Sequence, residues 1–445
     1  MSFSAGFSRK TITPDPGLDM CGYYVARVSE GALDDLQVNT AALSAGDETL
    51  LIIGLDLHYV MDRSTELLRS RISEAAGLPQ DHIFIHFNHT HTAPSFDCDS
   101  PNPKNRDYFE KALKTVSDSV LEALSDMKAA RVGYGSVDCS LSHSRRVLMK
   151  DGTVVTNPGV NNPDSIWEVG EVDNLMSAVR IDRDEADTIL LINYSVTPDS
   201  VGGNLISADC IGFMRSTVET CIPGVKCLFL NGAHGDSCMQ PVFAEPGWFN
   251  GTSRQFDDVM RGYDHSRWCG RYMAGSVIKI YDKVSWINPE KLRAGERIVK
   301  IQANIPLRKE LPEARRIHNY HESGRDAELG YSGMMLTTVV AEAERKLRLS
   351  NAPKIIDVPI IAAAIGPIVL VGVAAEPFSG FNMAIRDTKE WAAVLPVSIV
   401  NGRTSIIPMK EDYEEGGYEA RASAAKAGSA ELIISECKLL ISDLK

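Results

Sequence analysis

His89 and His91 stand two residues apart at the end of an apolar run, Ile83-Phe84-Ile85-His86-Phe87-Asn88-His89-Thr90-His91-Thr92-Ala93-Pro94-Ser95. The β-branched and aromatic residues at its start predict a strand, and Pro94 stops regular pairing. If pairing continues through Thr92, the period-two alternation of a strand puts both imidazoles on one face. Two imidazoles on one side, at the exit of a buried strand, suit a divalent metal; ordinary surface histidines at a polar strand end are the alternative. Other predicted strands also end in polar residues: Asp56 and His58, Thr197 and Asp209, His234 and Asp236, Glu376, and the stretch from Asn401 to Tyr418. Together they supply His, Asp and Glu in the proportions of a Zn²⁺ site. Such an ion lowers the pKa of its water to roughly 7 and makes hydroxide for attack on a carbonyl. Glu376 falls between an apolar strand and Pro377, a poor place for a charge without a partner. A carboxylate at a helix N-terminus is the other reading of it.

The elements that position these residues follow from local patterns. Residues 36–43 and 49–55 predict a hairpin around Gly46-Asp47, and 64–75 a helix with Ser64 as N-cap. With the strand at 83 this makes a βαβ unit, so the sheet is expected to be partly parallel. Sites in open parallel sheets gather at strand C-terminal ends, which puts His58, His89 and His91 on one rim. Helices are expected at 105–127, 211–218, 267–283, over most of 310–349, and at 422–444. Further strands are expected at 131–134, 139–148, 176–181, 188–194, 225–230, 298–305 and 393–400. A meander at 354–358, 360–364 and 368–373 is punctuated by Pro359. The turn-rich stretch 152–164 reads as a loop, and the aromatic stretch 241–256 as a loop lining a cleft. The Gly-rich turn Asn231-Gly232-Ala233-His234-Gly235-Asp236 lets backbone approach a ligand closely. No linker or repeat interrupts the chain, so residues 1–445 read as one α/β domain.

At 445 residues, 44% hydrophobic and 24% charged, the composition is that of an ordinary globular enzyme. The net charge of −13 is spread along the chain, which argues against nucleic acid and anionic membrane as partners. The nine cysteines contain no CxxC pair, and no signal peptide or membrane span is visible. Reduced thiols in a bacterial cytoplasm are expected, with a small-molecule substrate and a homo-oligomer left open.

The ordered set Ile12-Thr13-Pro14, Gly22-Tyr23, Leu55-Asp56, His89-Thr90-His91-Thr92-Ala93-Pro94, Asn231-Gly232-Ala233-His234-Gly235-Asp236, Glu376-Pro377-Phe378 and Glu414-Glu415-Gly416-Gly417-Tyr418-Glu419 resembles the neutral/alkaline non-lysosomal ceramidases, specifically their N-terminal catalytic domain. The resemblance implies layered mixed β-sheets flanked by helices, and one zinc whose water hydrolyses an amide. It makes His89 and Glu376 zinc ligands, His91 a catalytic neighbour of the metal and Arg145 a site arginine. Ser237 and Cys238 fall where that family has its implicated serine. Two positions depart: Thr197 stands where the second zinc histidine is expected, and Ile406 where a tyrosine ligand is expected. The immunoglobulin-like domain that follows in ceramidases has no counterpart in these 445 residues.

Three readings stay open. His234 supplies the missing imidazole, with Asp56, His58 or His91 completing a rearranged site. Alternatively the metal is gone and His91 works with Cys238 or Ser237 as nucleophile. Otherwise the chain is a non-catalytic binding relative. A small polar amide or ester, an N-acyl amino compound or sugar derivative, is the expected substrate, with Arg145 able to hold its carboxylate or phosphate.

Overall fold

A computed structural model describes residues 3–60, 62–245, 254–256 and 259–445. Strand β1 (Ser4–Thr11) pairs antiparallel with β2 (Gln37–Ala45), which turns through Gly46 into β3 (Glu48–Leu55). Gly46 has φ 65°, a conformation the two-residue turn needs and a side chain disfavours. Helix α1 (Asp62–Ala76) then crosses to β4 (Ile83–Phe87), which runs parallel to β3 from Leu51↔Ile83 onward. The βαβ unit predicted from the strand–helix–strand pattern is therefore present. Asn102 caps α2 (Pro103–Ser125) by accepting from Lys104 N at 3.0 Å, and Pro103 begins it where no donor is needed.

Strands β5 (Lys128–Asp138), β6 (Leu175–Arg183) and β7 (Thr188–Tyr194) continue the sheet. Helix α3 (Asp209–Cys221) returns the chain to β8 (Val225–Asn231), parallel to β7. Helix α4 (Tyr263–Tyr281) leads to β9 (Ser285–Ile287), which pairs with β5. Among the described residues this sheet has nine strands, in the order β8-β7-β6-β5-β1-β2-β3-β4 with β9 beside β5. A second, four-stranded sheet holds β10 (Leu292–Gln302), β11 (Ile355–Ile365), β12 (Ile368–Val373) and β13 (Ala393–Val397). Helices α5 (Leu311–Glu322) and α6 (Gly333–Leu349) lie between β10 and β11; α7 (Ser379–Arg386) joins β12 to β13, and α8 (Ser429–Asp443) closes the chain.

Alternation along β4 explains the layering. Ile83, Ile85 and Phe87 face α1 and α2, against Leu68, Ile72 and Phe109. Phe84 points the other way, into a core shared with Ile361, Leu370 and Leu395 of the second sheet. Burying such a side chain is worth about 1.5–3 kcal/mol, so a one-residue slip of β4 is heavily penalised. Helices α3 and α4 cover the β6–β8 region through Met214, Val218, Met273 and Val277. Helices α7 and α8 cover the outer face of the second sheet through Phe381, Ile385, Ile433 and Ile441. The result is helix, sheet, sheet, helix: the layered mixed α/β class expected from the sequence.

Several element bounds differ from the sequence reading. Pro359 does not split a strand, since β11 passes straight through it, facing Ile298. Its carbonyl accepts from Ala374 N, so its missing N–H lies on the side where β12 has ended and costs no ladder bond. The expected strand at 139–148 is two short pieces, His143–Ser144 and Arg146–Met149, and Val154–Thr156 pairs within the stretch read as loop. The last helix begins at Ser429, because Tyr418–Ala422 is a separate turn of helix that ends before Ser423, which has extended backbone. Residues 246–253 of the expected cleft loop lie outside the described residues. Among the described residues no helix is long and apolar enough to cross a membrane.

His86, buried within β4, ties together strands that are far apart in the sheet order. Its Nδ1 donates to Ser398 O at 2.9 Å, and its Nε2 accepts from Asn231 N at 2.9 Å. The ends of β4, β8 and β13 meet there. Burial pulls the His86 pKa down to about 3, whereas an unfolded His titrates near 6.5. A depressed folded pKa stabilises the fold above the unfolded value, and that contribution drains away as pH falls from about 6.5 toward 3. Urea unfolding at pH 7 and pH 4.5 is expected to show His86→Gln less stable at pH 7 and losing less on acidification than the parent. Equal losses in both proteins would refute this.

Candidate active site

The strand ends gathered by this architecture place His58 (after β3), His89 and His91 (after β4), His234 (after β8) and Glu376 (after β12) on one cavity of about 440 Å³. The His58 and His89 rings stack at 4.1 Å; His91 meets His58 at 4.7 Å and His89 at 5.0 Å, and His234 stands 5.0 Å from His89. One ligand atom from each of His58, His89 and His91 lies within 4.8 Å of the others. Glu376 Oε2 faces His89 Nε2 at 3.7 Å.

The convergence of His89 and His91 arises differently from the expectation. Strand β4 ends at Phe87, and His89 has φ 70°, so the two imidazoles are not neighbours on a continuing strand. His89 N donates to Leu57 O, and Arg27 donates to His91 O at 2.7 Å, which fixes the turn between them. A non-glycine residue in this conformation is strained, and such strain collects at functional sites.

Carbonyls set the tautomers. His89 Nδ1 is 3.2 Å from His58 O and His234 Nδ1 is 2.8 Å from Gly232 O, so each Nδ1 carries the proton and each Nε2 presents a lone pair. Among the described residues, His234 Nε2 and both ring nitrogens of His58 and His91 are buried without hydrogen-bond partners. Burial holds all four imidazoles neutral: the pKa values of His58 and His89 fall well below the usual range, that of His234 is lowered, and that of His91 drops to about 4. Burial alone pushes the Glu376 carboxyl up, but the Arg403 guanidinium outweighs it and holds it well below the usual carboxylate range. Arg403 Nε donates to Glu376 Oε1, leaving Oε2 toward the histidines. Neutral imidazoles with free edges beside one carboxylate form the donor set that a borderline divalent ion takes.

Arg145 lines the same cavity, its Nε on Glu419 Oε1 at 2.7 Å and its Nη2 on Gly235 O at 2.7 Å. Asp236, Ser237 and Cys238 do not line it. Asp236 Oδ1 accepts from Ser379 N and Oγ at 2.9 and 2.8 Å at the start of α7, and burial raises its pKa to about 6. Ser237 Oγ donates to His234 O at 3.2 Å. The Cys238 thiol donates to Gln240 O at 3.1 Å, and burial pushes its pKa up to about 12, which disfavours a thiolate.

Thr197, at the position of an expected ligand, donates to His234 O and Ser237 O at 3.1 and 2.7 Å and so braces the turn that carries His234. Ile406, the other such position, pairs in parallel with Glu376 and offers the cavity only alkyl surface. Gly235 of the 231–236 turn lines the cavity, and a Cβ there would come 2.7 Å from Glu376 O. Asp56 is absent from the cavity: Arg215 grips both its oxygens, and Asn88 and Gln37 N donate to it as well.

Three partners were not singled out by the sequence reading. Arg403 is one. Asp199 is another: its Oδ1 lies 3.8 Å from His91 Nδ1 and receives Arg261 Nε at 2.9 Å and the Tyr23 hydroxyl. Burial raises the Asp199 pKa, but Arg261 and His91 outweigh it and bring it to about 2. Tyr59 is the third, with the Arg403 guanidinium 4.7 Å over its ring.

A layered α/β fold with a buried imidazole–carboxylate cluster at converging strand ends describes a class of sites suited to metal-assisted chemistry. Within that class, the chain has the fold of the neutral ceramidases. A crystal structure of neutral ceramidase from Pseudomonas aeruginosa superposes with a TM-score of 0.74 at 18% identity, over 100% of this chain and 75% of that one. A ceramidase structure described as complexed with C2 gives 0.72 at 18%, over 100% and 76%. No family model and no curated protein matches the sequence.

Proposed function

We propose that this protein is a metal-dependent hydrolase that cleaves an amide, or an ester, in a small polar substrate. The observation that carries the reading is the cluster itself: His58, His89 and His91 within ligand distance of one another, with His234 Nε2 and Glu376 Oε2 on the same cavity. In this reading His89, His234 and Glu376, with His58, hold a zinc ion. When bound, zinc supplies Lewis acidity toward a carbonyl oxygen and a water acidified to a pKa of roughly 7. His91 enters the reaction neutral, takes the proton released by the attacking water and returns it to the leaving nitrogen or oxygen. Asp199 steadies the imidazolium formed in between, and Arg145 faces the negative charge that develops on the carbonyl oxygen.

The cavity supports a small polar substrate. Its walls are mostly Tyr, His, Arg and Glu, and alkyl side chains enter only at Ala341, Ile406 and Ala422 with Thr197 and Thr404. The 445 residues act as one catalytic unit in this reading.

Metal analysis of the purified protein, paired with hydrolysis of p-nitrophenyl acetate and an N-acetyl arylamide before and after chelation, tests it. Copurifying divalent metal and activity that is lost on chelation and restored by zinc are expected. Undiminished hydrolysis by metal-free protein would sink the reading. Cys238→Ala is expected to change hydrolysis by less than about twofold, since a protonated thiol bound to a carbonyl does no chemistry. A loss of several orders of magnitude there would instead support the thiol route.

A further inference from the structure

The cavity carries more positive charge than a neutral substrate would call for. Four guanidiniums, of Arg145, Arg345, Arg348 and Arg403, line it against two carboxylates, of Glu344 and Glu376. Two of the four each spend two nitrogens on the chain and keep one, too few for a two-pronged grip. Arg145 is tied to Glu419 and Gly235 O, and Arg345 to the carbonyls of Arg421 and Asn304 at 2.8 Å each. The other two have donors to spare. Arg403 spends Nε on Glu376, and among the described residues Nη1 and Nη2 make no hydrogen bond. Tyr59 beneath the guanidinium plane holds that fork in place. Arg348, exposed on α6, makes no hydrogen bond or ion pair among the described residues and reaches the same cavity.

Arg403 lies three residues before Ile406, in the stretch Asn401-Gly402-Arg403-Thr404-Ser405-Ile406. A cation next to a carboxylate that is to hold a metal works against the metal unless further negative charge arrives. An anionic group on the substrate supplies such charge. A planar fork of two N–H groups matches a carboxylate in a bidentate way that a point charge does not.

We propose that the substrate of this site bears a carboxylate, held by the Nη1/Nη2 fork of Arg403 with Arg348 as a second cation at the entrance. The amide or ester cleaved is thus that of an acidic N-acyl or O-acyl compound. The inference rests on the hydrolase reading for the bond broken, and on the guanidinium arrangement alone for the charge bound.

Calorimetric titration of the protein as purified with N-acetylglycine and with N-acetylglycinamide tests the charge. The acid is expected to bind at least about tenfold more tightly than the amide. Arg403→Lys keeps a cation beside Glu376 but loses the fork, and is expected to lower that ratio about threefold or more. Arg348→Gln touches no internal hydrogen bond, and is expected to lower it about twofold without weakening the amide; it decides the matter if R403K does not fold. A parent ratio near one, or a ratio unchanged in both variants, overturns the proposal. N-acetylglucosamine 6-phosphate against N-acetylglucosamine separates phosphate from carboxylate, and a larger ratio for that pair overturns the carboxylate assignment. Hydrolysis is followed separately. Acid-selective binding with no turnover of any of the four compounds counts against the hydrolase reading and leaves this one standing. Equal kcat/KM on acid and amide does the reverse.

Discussion

His89→Ala removes the imidazole at the centre of the cluster, and is expected to abolish both metal retention and hydrolysis. Its ring lies beside those of His58, His91 and His234 and faces Glu376. Loss of an outer-shell partner of a metal ligand costs about 10–100-fold in affinity or activity, and loss of the ligand itself is expected to exceed that. Alanine also relieves little of the backbone strain at φ 70°, so the fold gains almost nothing in return. Zinc competition with a chromophoric chelator reads the affinity directly, and turnover of p-nitrophenyl acetate reads the chemistry. His234→Gln is expected to weaken zinc in the same assay if, as proposed, its unpartnered Nε2 supplies a ligand in place of the imidazole absent at Thr197. If H89A kept full zinc affinity, the ion would have to be held elsewhere and the cluster would be a polar core without chemistry.

How much of this was legible depended on range. The hairpin around Gly46 and the βαβ unit through α1 are local patterns, and periodicity reports them. The approach of β8 to β4 is not local: it is made by His86, Asn231 and Ser398, and His86 sits in an apolar alternation where its type gives no warning. At the site, polar residues ending apolar runs were the visible signal, and His58, His89, His91, His234 and Glu376 do meet. Strand alternation does not bring His89 and His91 together; the left-handed backbone at His89 does. Nothing local marks Arg403, because its role comes from a partner distant in the chain. Its partner, Glu376, is 27 residues away. Asp199 likewise gains its meaning from Arg261 and His91, which spacing along the chain does not reveal.

Asp56→Ala is expected to be among the most destabilising single changes in the protein. Sequence placed this carboxylate at a strand end beside His58 and offered it to the metal; the fold instead gives it to Arg215. Arg215 Nη1 reaches Asp56 Oδ1 at 2.7 Å and Nη2 reaches Oδ2, and the two side chains are 3% and 1% exposed. Removing one member of such a pair leaves the other charge buried and uncompensated, which costs about 3–5 kcal/mol. Asn88 and the Gln37 backbone N–H lose an acceptor at the same time. Asn88 immediately precedes His89, so the loss is expected to loosen the metal ligand as well as the fold. Urea unfolding at pH 7 measures the first effect and zinc affinity the second. The pair is also expected to be replaceable: Asp56→Leu with Arg215→Met should recover much of the stability, because apolar side chains of similar volume often match a buried ion pair. Zinc affinity should recover less, since neither new side chain accepts from Asn88. A D56A protein within about 1 kcal/mol of the parent would mean that water reaches Arg215, and that this ion pair does not hold the β3 end in place.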